Sequence, residues 1–138
     1  MQRSGVSVIL AAVVLAGCGS SAPTSPGGSV EYSQSIAGSV SAFSETRHPL
    51  TVPVSGDMTL RLTWSSSSVD LDLYLASSSC VVSLYPLETC GIVAQSILAS
   101  GASETIRHPV SAGQEYQLWV DNLNTTTAMN YTLSIAID

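Results

Sequence analysis

The chain has 138 residues and a formal net charge of −6, with 45% hydrophobic and only 10% charged residues. That length gives one domain with a sizeable core once an N-terminal leader is set aside. Arg3, Arg47, Arg61 and Arg107 are the four basic residues and lysine is absent; without clustered cations to displace counterions from phosphates, nucleic acid is excluded as a partner.

Met1-Gln2-Arg3 supplies one positive charge, and Val6 to Leu15 follows as an apolar run broken only by Ser7. Such a run is too short to span a bilayer and fits the apolar region of an export signal. It ends Leu15-Ala16-Gly17-Cys18. Two small residues directly before a cysteine resemble the lipobox of bacterial lipoproteins. The resemblance implies cleavage before Cys18, a diacylglyceryl group on its thiol and acylation of the new amine. Several acyl chains anchor stably where one binds marginally, because each buried methylene contributes about 0.8 kcal/mol. The membrane is therefore an expected partner, through the N-terminal lipid.

The Ser-, Pro- and Gly-rich stretch 19–29 has no apolar period and reads as a tether. The predicted organisation is a signal peptide at 1–17, lipidated Cys18 with a linker to 29, and one domain over 30–138. Gly19 and Ser20 follow Cys18 where a sorting aspartate would stand. By the same resemblance this favours the outer membrane, with the domain in the periplasm or at the cell surface. With Cys18 used by lipid, Cys80 and Cys90 remain as a disulfide pair in an oxidising compartment. A metal site there would need more soft or imidazole ligands, and neither His48 nor His108 is near in sequence.

From Val30 onward the apolar period is two, with turn residues every eight to twelve positions or so. His48, Leu50, Val52 and Val54 alternate with Pro49 and Pro53, which confine that strand to a sheet edge or to irregular pairing. After the turn Ser55-Gly56-Asp57, Met58, Leu60, Leu62 and Trp64 share one face. Val69, Leu71, Leu73 and Leu75 form the next strand, interleaved with Asp70, Asp72 and Tyr74. The cysteine loop follows, then strands around 92–98 and 106–110. Tyr116, Leu118 and Val120 alternate with Gln117, Trp119 and Asp121, and Tyr131, Leu133, Ile135 and Ile137 end the chain. Roughly eight strands with one apolar face each predict an all-β sandwich of two antiparallel sheets. Ser44-Glu45-Thr46-Arg47-His48-Pro49 and Ser103-Glu104-Thr105-Ile106-Arg107-His108-Pro109 also resemble each other, either as two related halves or by coincidence.

Leu60-Arg61-Leu62-Thr63-Trp64, Val69-Asp70-Leu71-Asp72-Leu73-Tyr74-Leu75, the stretch Ala112 to Asp121 and the ending Asn130-Tyr131-Thr132-Leu133 resemble bacterial pre-peptidase C-terminal (PPC-like) domains, over about 33–138. The resemblance implies a jelly-roll-like β-sandwich, usually appended to secreted peptidases, with roles in targeting or secretion. Some members bind calcium and collagen. No peptidase accompanies the domain in this sequence, so a partner would have to supply one.

His48 and His108 lie on the apolar parity of their strands beside prolines, which reads as structural. No nucleophile elbow or paired-histidine zinc motif is present in the sequence. The expected chain is thus not an enzyme, and a hydrolase ranks third among the readings. Asp70 and Asp72 project from one strand face and, with Asp121, are candidate Ca²⁺ ligands, Ca²⁺ being the one cofactor considered; the alternative is a solvated face. Tyr74, Gln117 and Trp119 share the outward parity. If the two strands are neighbours, these residues and the carboxylates form a patch for a polysaccharide or protein; otherwise a loop or the tether covers Trp119. The expected function is a non-catalytic, lipid-anchored binding or accessory module of the cell envelope. A calcium-stabilised domain docking on a secreted peptidase or an extracellular polymer is the alternative.

Overall fold

The computed structural model describes residues 30–138. The leader, Cys18 and the tether lie outside the described residues. Eight strands run in chain order: β1 Tyr32–Val40, β2 Ser44–Thr51, β3 Gly56–Trp64, β4 Leu71–Ser77, β5 Ile92–Ser96, β6 Ser103–Val110, β7 Glu115–Asn122 and β8 Met129–Ile137. They form two four-stranded antiparallel sheets, ordered β1-β8-β3-β6 and β2-β7-β4-β5. Strands pair 1 with 8, 2 with 7, 3 with 6 and 4 with 5, as when one long hairpin is wrapped into a barrel-like sandwich. This is the jelly-roll arrangement.

Alternation decides the interior. Met58, Leu60, Leu62 and Trp64 of β3 face Leu71, Leu73 and Leu75 of β4, Leu118 and Val120 of β7, and Leu133, Ile135 and Ile137 of β8 in one apolar core. Most of these side chains are fully buried. Trp64 stays inside because its indole N–H donates to the Val69 carbonyl at 2.7 Å, satisfying its one polar atom. β1 carries little apolar content, yet it pairs with β8 along its whole length. Gly38 is required there: a Cβ would strike the Tyr131 ring.

The two similar segments occupy matching places. Ser44 begins β2 and Ser103 begins β6, and these strands are edges of opposite sheets. Exchanging β1 with β5, β2 with β6, β3 with β7 and β4 with β8 turns one sheet's order into the other's. The prolines fit this position: Pro49 and Pro109 lie in edge strands, where a missing N–H breaks no interior ladder, and Pro53 falls beyond the end of β2.

Cys80 and Cys90 are joined as a disulfide, with Cα atoms 4.8 Å apart. It closes the loop 78–91, which leaves β4, crosses the outer face of the β2-β7-β4-β5 sheet and returns to β5. Leu84, at its far end, is fully buried against a second, smaller cluster with Tyr74, Ala76 and Trp119.

Candidate functional site

The predicted outward residues are indeed neighbours. Asp72 lies opposite Asp121, Tyr74 opposite Trp119, and Ala76 opposite Gln117 in the β4–β7 ladder. They do not form an exposed patch. Tyr74, Gln117 and Trp119 are 4%, 7% and 3% exposed, because the disulfide loop lies across them. The expectation of a stacking platform is corrected on that ground, and the covering element is the loop, the alternative raised from the sequence. Gln117 Nε2 donates to the Ser78 carbonyl of the loop at 3.3 Å. Gln117 Oε1 and the Trp119 indole N–H find no partner among the described residues.

The candidate Ca²⁺ ligands lie on or next to β4 and β7. Asp70, Asp72 and Asp121 do not converge into a three-ligand group among the described residues. Asp72 and Asp121 each accept a hydrogen bond from a phenol. The Tyr74 hydroxyl donates to Asp72 at 3.4 Å and the Tyr85 hydroxyl to Asp121 at 2.5 Å. Burial, reinforced by the Asp70 and Asp121 carboxylates, pushes Asp72 up to about 6. Burial also raises Asp121, with Glu45 adding to it. Tyr74 rises to about 12 through burial and the neighbouring Asp72 and Asp121.

Both histidines face tyrosines of the opposite sheet. His48 Nε2 shares a hydrogen bond with the Tyr131 hydroxyl at 2.7 Å, and burial lowers its pKa. His108 meets the Tyr116 ring edge-on, centroids 6.0 Å apart. Each half-buried ring thus links an edge strand to the facing sheet.

One open groove lies where the tip of the covering loop meets the β1–β2 turn and the β7–β8 loop. A groove of about 550 Å³ is lined there by Phe43, Ser44, Glu45, Tyr85, Asp121 and Leu123. Phe43 is 73% exposed and Leu123 50%. Phe43 also takes a positive φ of 48°, a conformation that costs a non-glycine residue about 1–2 kcal/mol and persists only where the surroundings fix it. They do so here. The Phe43 N–H donates to the Asn124 carbonyl at 2.8 Å. Asn122, fully buried, donates through Nδ2 to the carbonyls of Ser41 and Thr127, at 3.1 and 2.8 Å. On the opposite wall both Glu45 carboxylate oxygens accept the Leu84 N–H, at 3.0 and 3.1 Å. Glu104, the second residue of β6 and fully buried, holds the Leu98 N–H at 2.9 Å and the Ser96 hydroxyl. Each of the two glutamates thus pins a loop through backbone N–H donors.

No protein-family model matches this chain, and no curated protein matches it. Solved structures do. The chain is similar to PliG of Aeromonas hydrophila, a periplasmic inhibitor of g-type lysozyme, at 11% identity and a TM-score of 0.53, covering 77% of this chain and 86% of that one. It is also similar to the Yersinia pseudotuberculosis-derived mitogen, at 12% identity and a TM-score of 0.55, covering 78% and 86%. At such identities the fold is what is shared.

Of the groove residues, the sequence singles out Asp121 as a site residue, and Ser44 and Glu45 stand in the repeated segment. Phe43 is the chain's one phenylalanine and stands outside any strand period, which was the available signal. Tyr85 and Leu123 carried none, because they reach the groove through loops from distant parts of the chain.

Proposed function

We propose that this chain is a non-catalytic, lipid-anchored module of the bacterial cell envelope that binds a protein through the groove at the end of its sandwich. The observation that carries the reading is the exposure of Phe43, Leu123 and Tyr85 around one concavity. Exposed aromatic and aliphatic side chains gathered about a groove, on loops tied down by buried Asn122 and by Glu45, are how a rigid scaffold presents a protein contact. The Cys80–Cys90 disulfide and the export-type leader support a location outside the cytoplasm. The PPC-like sequence resemblance and the similarity in fold to a periplasmic lysozyme inhibitor are consistent with a module that works by holding another protein. The lipobox-like run ending at Cys18 supplies the anchor, with the outer membrane the favoured site.

Two experiments test this. Photocrosslinking in cells, with benzoylphenylalanine replacing Phe43, should capture a discrete envelope protein, whereas the same probe replacing exposed Thr105 on β6 should not. Equal adducts from both positions, or none from Phe43, would reject the groove as the binding surface. Cys18→Ser should move the protein to the soluble fraction. A variant as membrane-bound as wild type, with no acyl mass on wild-type Cys18, would remove the anchor.

A further inference from the structure

The binding groove carries two acids as well as apolar walls. Glu45 and Asp121 line the same space as Phe43, Tyr85 and Leu123. Both carboxylates are held in place by neutral donors, the Leu84 N–H and the Tyr85 hydroxyl. Their negative charge is therefore positioned but not neutralised by these contacts. Arg47 lies two residues from Glu45 on the same strand, but it is not among the lining residues.

We propose that the groove receives a guanidinium side chain from a basic protein partner, clasped between Glu45 and Asp121 and stacked on Phe43 and Tyr85. This rests on the protein-binding reading above and names what the partner presents. Charge complementarity selects a cation for a groove with two acids in a chain of net charge −6. The apolar walls select the kind of cation. A guanidinium is planar, weakly hydrated and stacks on aromatic rings, while donating in parallel to carboxylates; an ammonium is compact and strongly hydrated. A bare divalent metal would need more oxygens than this apolar-walled groove offers. Burial already disfavours the ionised form of Asp121, so an arriving cation relieves an existing cost.

The test uses the full lipidated chain in detergent micelles and two defined probes, N-acetylarginine amide and its uncharged analogue N-acetylnorleucine amide. Aromatic and methyl NMR signals of Phe43, Tyr85 and Leu123 report binding at the groove. The arginine probe should bind about tenfold more tightly than the norleucine probe, the scale of one charge-assisted contact plus a stacking contact. Glu45→Gln, which keeps an acceptor for the Leu84 N–H, should bring the two probes to near parity, and Phe43→Gly should weaken both. Asp121→Asn should act like Glu45→Gln, and Glu45→Gln stands as the decisive variant if that buried change unfolds the protein. Equal binding of both probes to the wild type would overturn the guanidinium proposal and leave an apolar protein-binding groove. Groove signals unmoved by either probe would overturn it too, and the crosslinking from position 43 then decides separately whether the protein-binding reading survives.

Discussion

Between the sheets, Leu60, Leu62, Leu73, Leu118, Leu133 and Ile135 form a continuous apolar interior, whereas under the disulfide loop Asp72, Gln117 and Asp121 are buried beside Tyr74 and Trp119. The same two strands, β4 and β7, build both regions, one from each face. Alternation fixes which face a side chain takes. Burial on the outer face depends instead on the loop 78–91, held by one disulfide, the Glu45 carboxylate and the Tyr85 hydroxyl. The inner region is therefore expected to set the stability of the fold. The outer one is expected to open locally at less cost, since local units of a protein open with free energies below the global value.

Leu133→Ala in the inner core is the most damaging change. Removing a fully buried leucine side chain leaves a cavity and costs about 3–5 kcal/mol. Leu84→Ala, equally buried, is expected to cost less globally, because loss of its contacts is absorbed by opening of the loop. Chemical denaturation with amide exchange separates the two. If Leu84→Ala lowers global stability as much as Leu133→Ala and protects loop amides no less than wild type, the outer region is part of the single core and the distinction fails.

Cutting the disulfide is next. Closing a loop of sequence separation 10 stabilises by roughly 2.5–3 kcal/mol in the chain-entropy model. A Cys80→Ala/Cys90→Ala variant should lose about that much. In a Trp64→Phe background, where Trp119 is the remaining tryptophan, oxidised protein should emit in the blue and resist quenching. The disulfide-free variant should shift to the red. Unchanged emission would mean that the loop stays shut without its covalent link.

The two regions differ as much in legibility as in stability. Met58 to Trp64 and Tyr131 to Ile137 announce inner strands because every second residue is large and apolar. β1 was harder to see as a strand of its own. Its sequence Tyr32–Val40 has large apolar residues only at Tyr32, Ile36 and Val40, and its place comes from pairing with β8. Val69 and Asp70 precede β4, and Ile97 and Leu98 follow β5, since Glu104 draws the chain after Ser96 into a loop. The outward parity of Tyr74, Trp119, Asp72 and Asp121, and their adjacency, were readable. Their cover was not, because Leu84 reaches Glu45 across 39 residues, a contact no local pattern encodes. The groove failed to appear for the same reason: three loops meet there, and only tertiary structure brings them together.

Asp72 sharpens the contrast through pH. The folded protein keeps its proton up to about pH 6, while the unfolded chain releases it near 3.8. Above pH 6 this group therefore disfavours folding, and the cost fades as pH falls through 6 toward 3.8. The shift is about two units, each nominally worth about 1.4 kcal/mol, and partial screening reduces the whole to roughly 1–2 kcal/mol. His48 works the other way. Burial lowers its pKa, so its contribution declines as pH drops below 6.5. Asp72→Asn keeps an acceptor for the Tyr74 hydroxyl and leaves His48 alone. It should stabilise the protein by roughly 1–2 kcal/mol at pH 7.5, with the gain shrinking toward zero near pH 4. Parallel melting curves for wild type and variant across that range would show that Asp72 is solvated and the outer region is not closed.

The smallest expected effect on stability belongs to the residue on which the function rests most. Phe43 holds a left-handed backbone conformation with its ring largely in solvent. Glycine adopts that conformation without the Cβ penalty, so Phe43→Gly removes strain of about 1–2 kcal/mol. Glycine also widens the unfolded ensemble, which offsets about 0.4–1 kcal/mol of the gain. Little packing is lost from a ring already exposed, and the Phe43 N–H to Asn124 bond is a backbone contact that the variant retains. Folding stability should therefore stay within about 1 kcal/mol of wild type or rise slightly, while probe binding at the groove falls away. That pattern is what a residue kept for contact rather than for folding produces. A Phe43→Gly variant that binds normally, or one destabilised by more than about 2 kcal/mol, would place Phe43 with the core residues and return the groove to an ordinary surface.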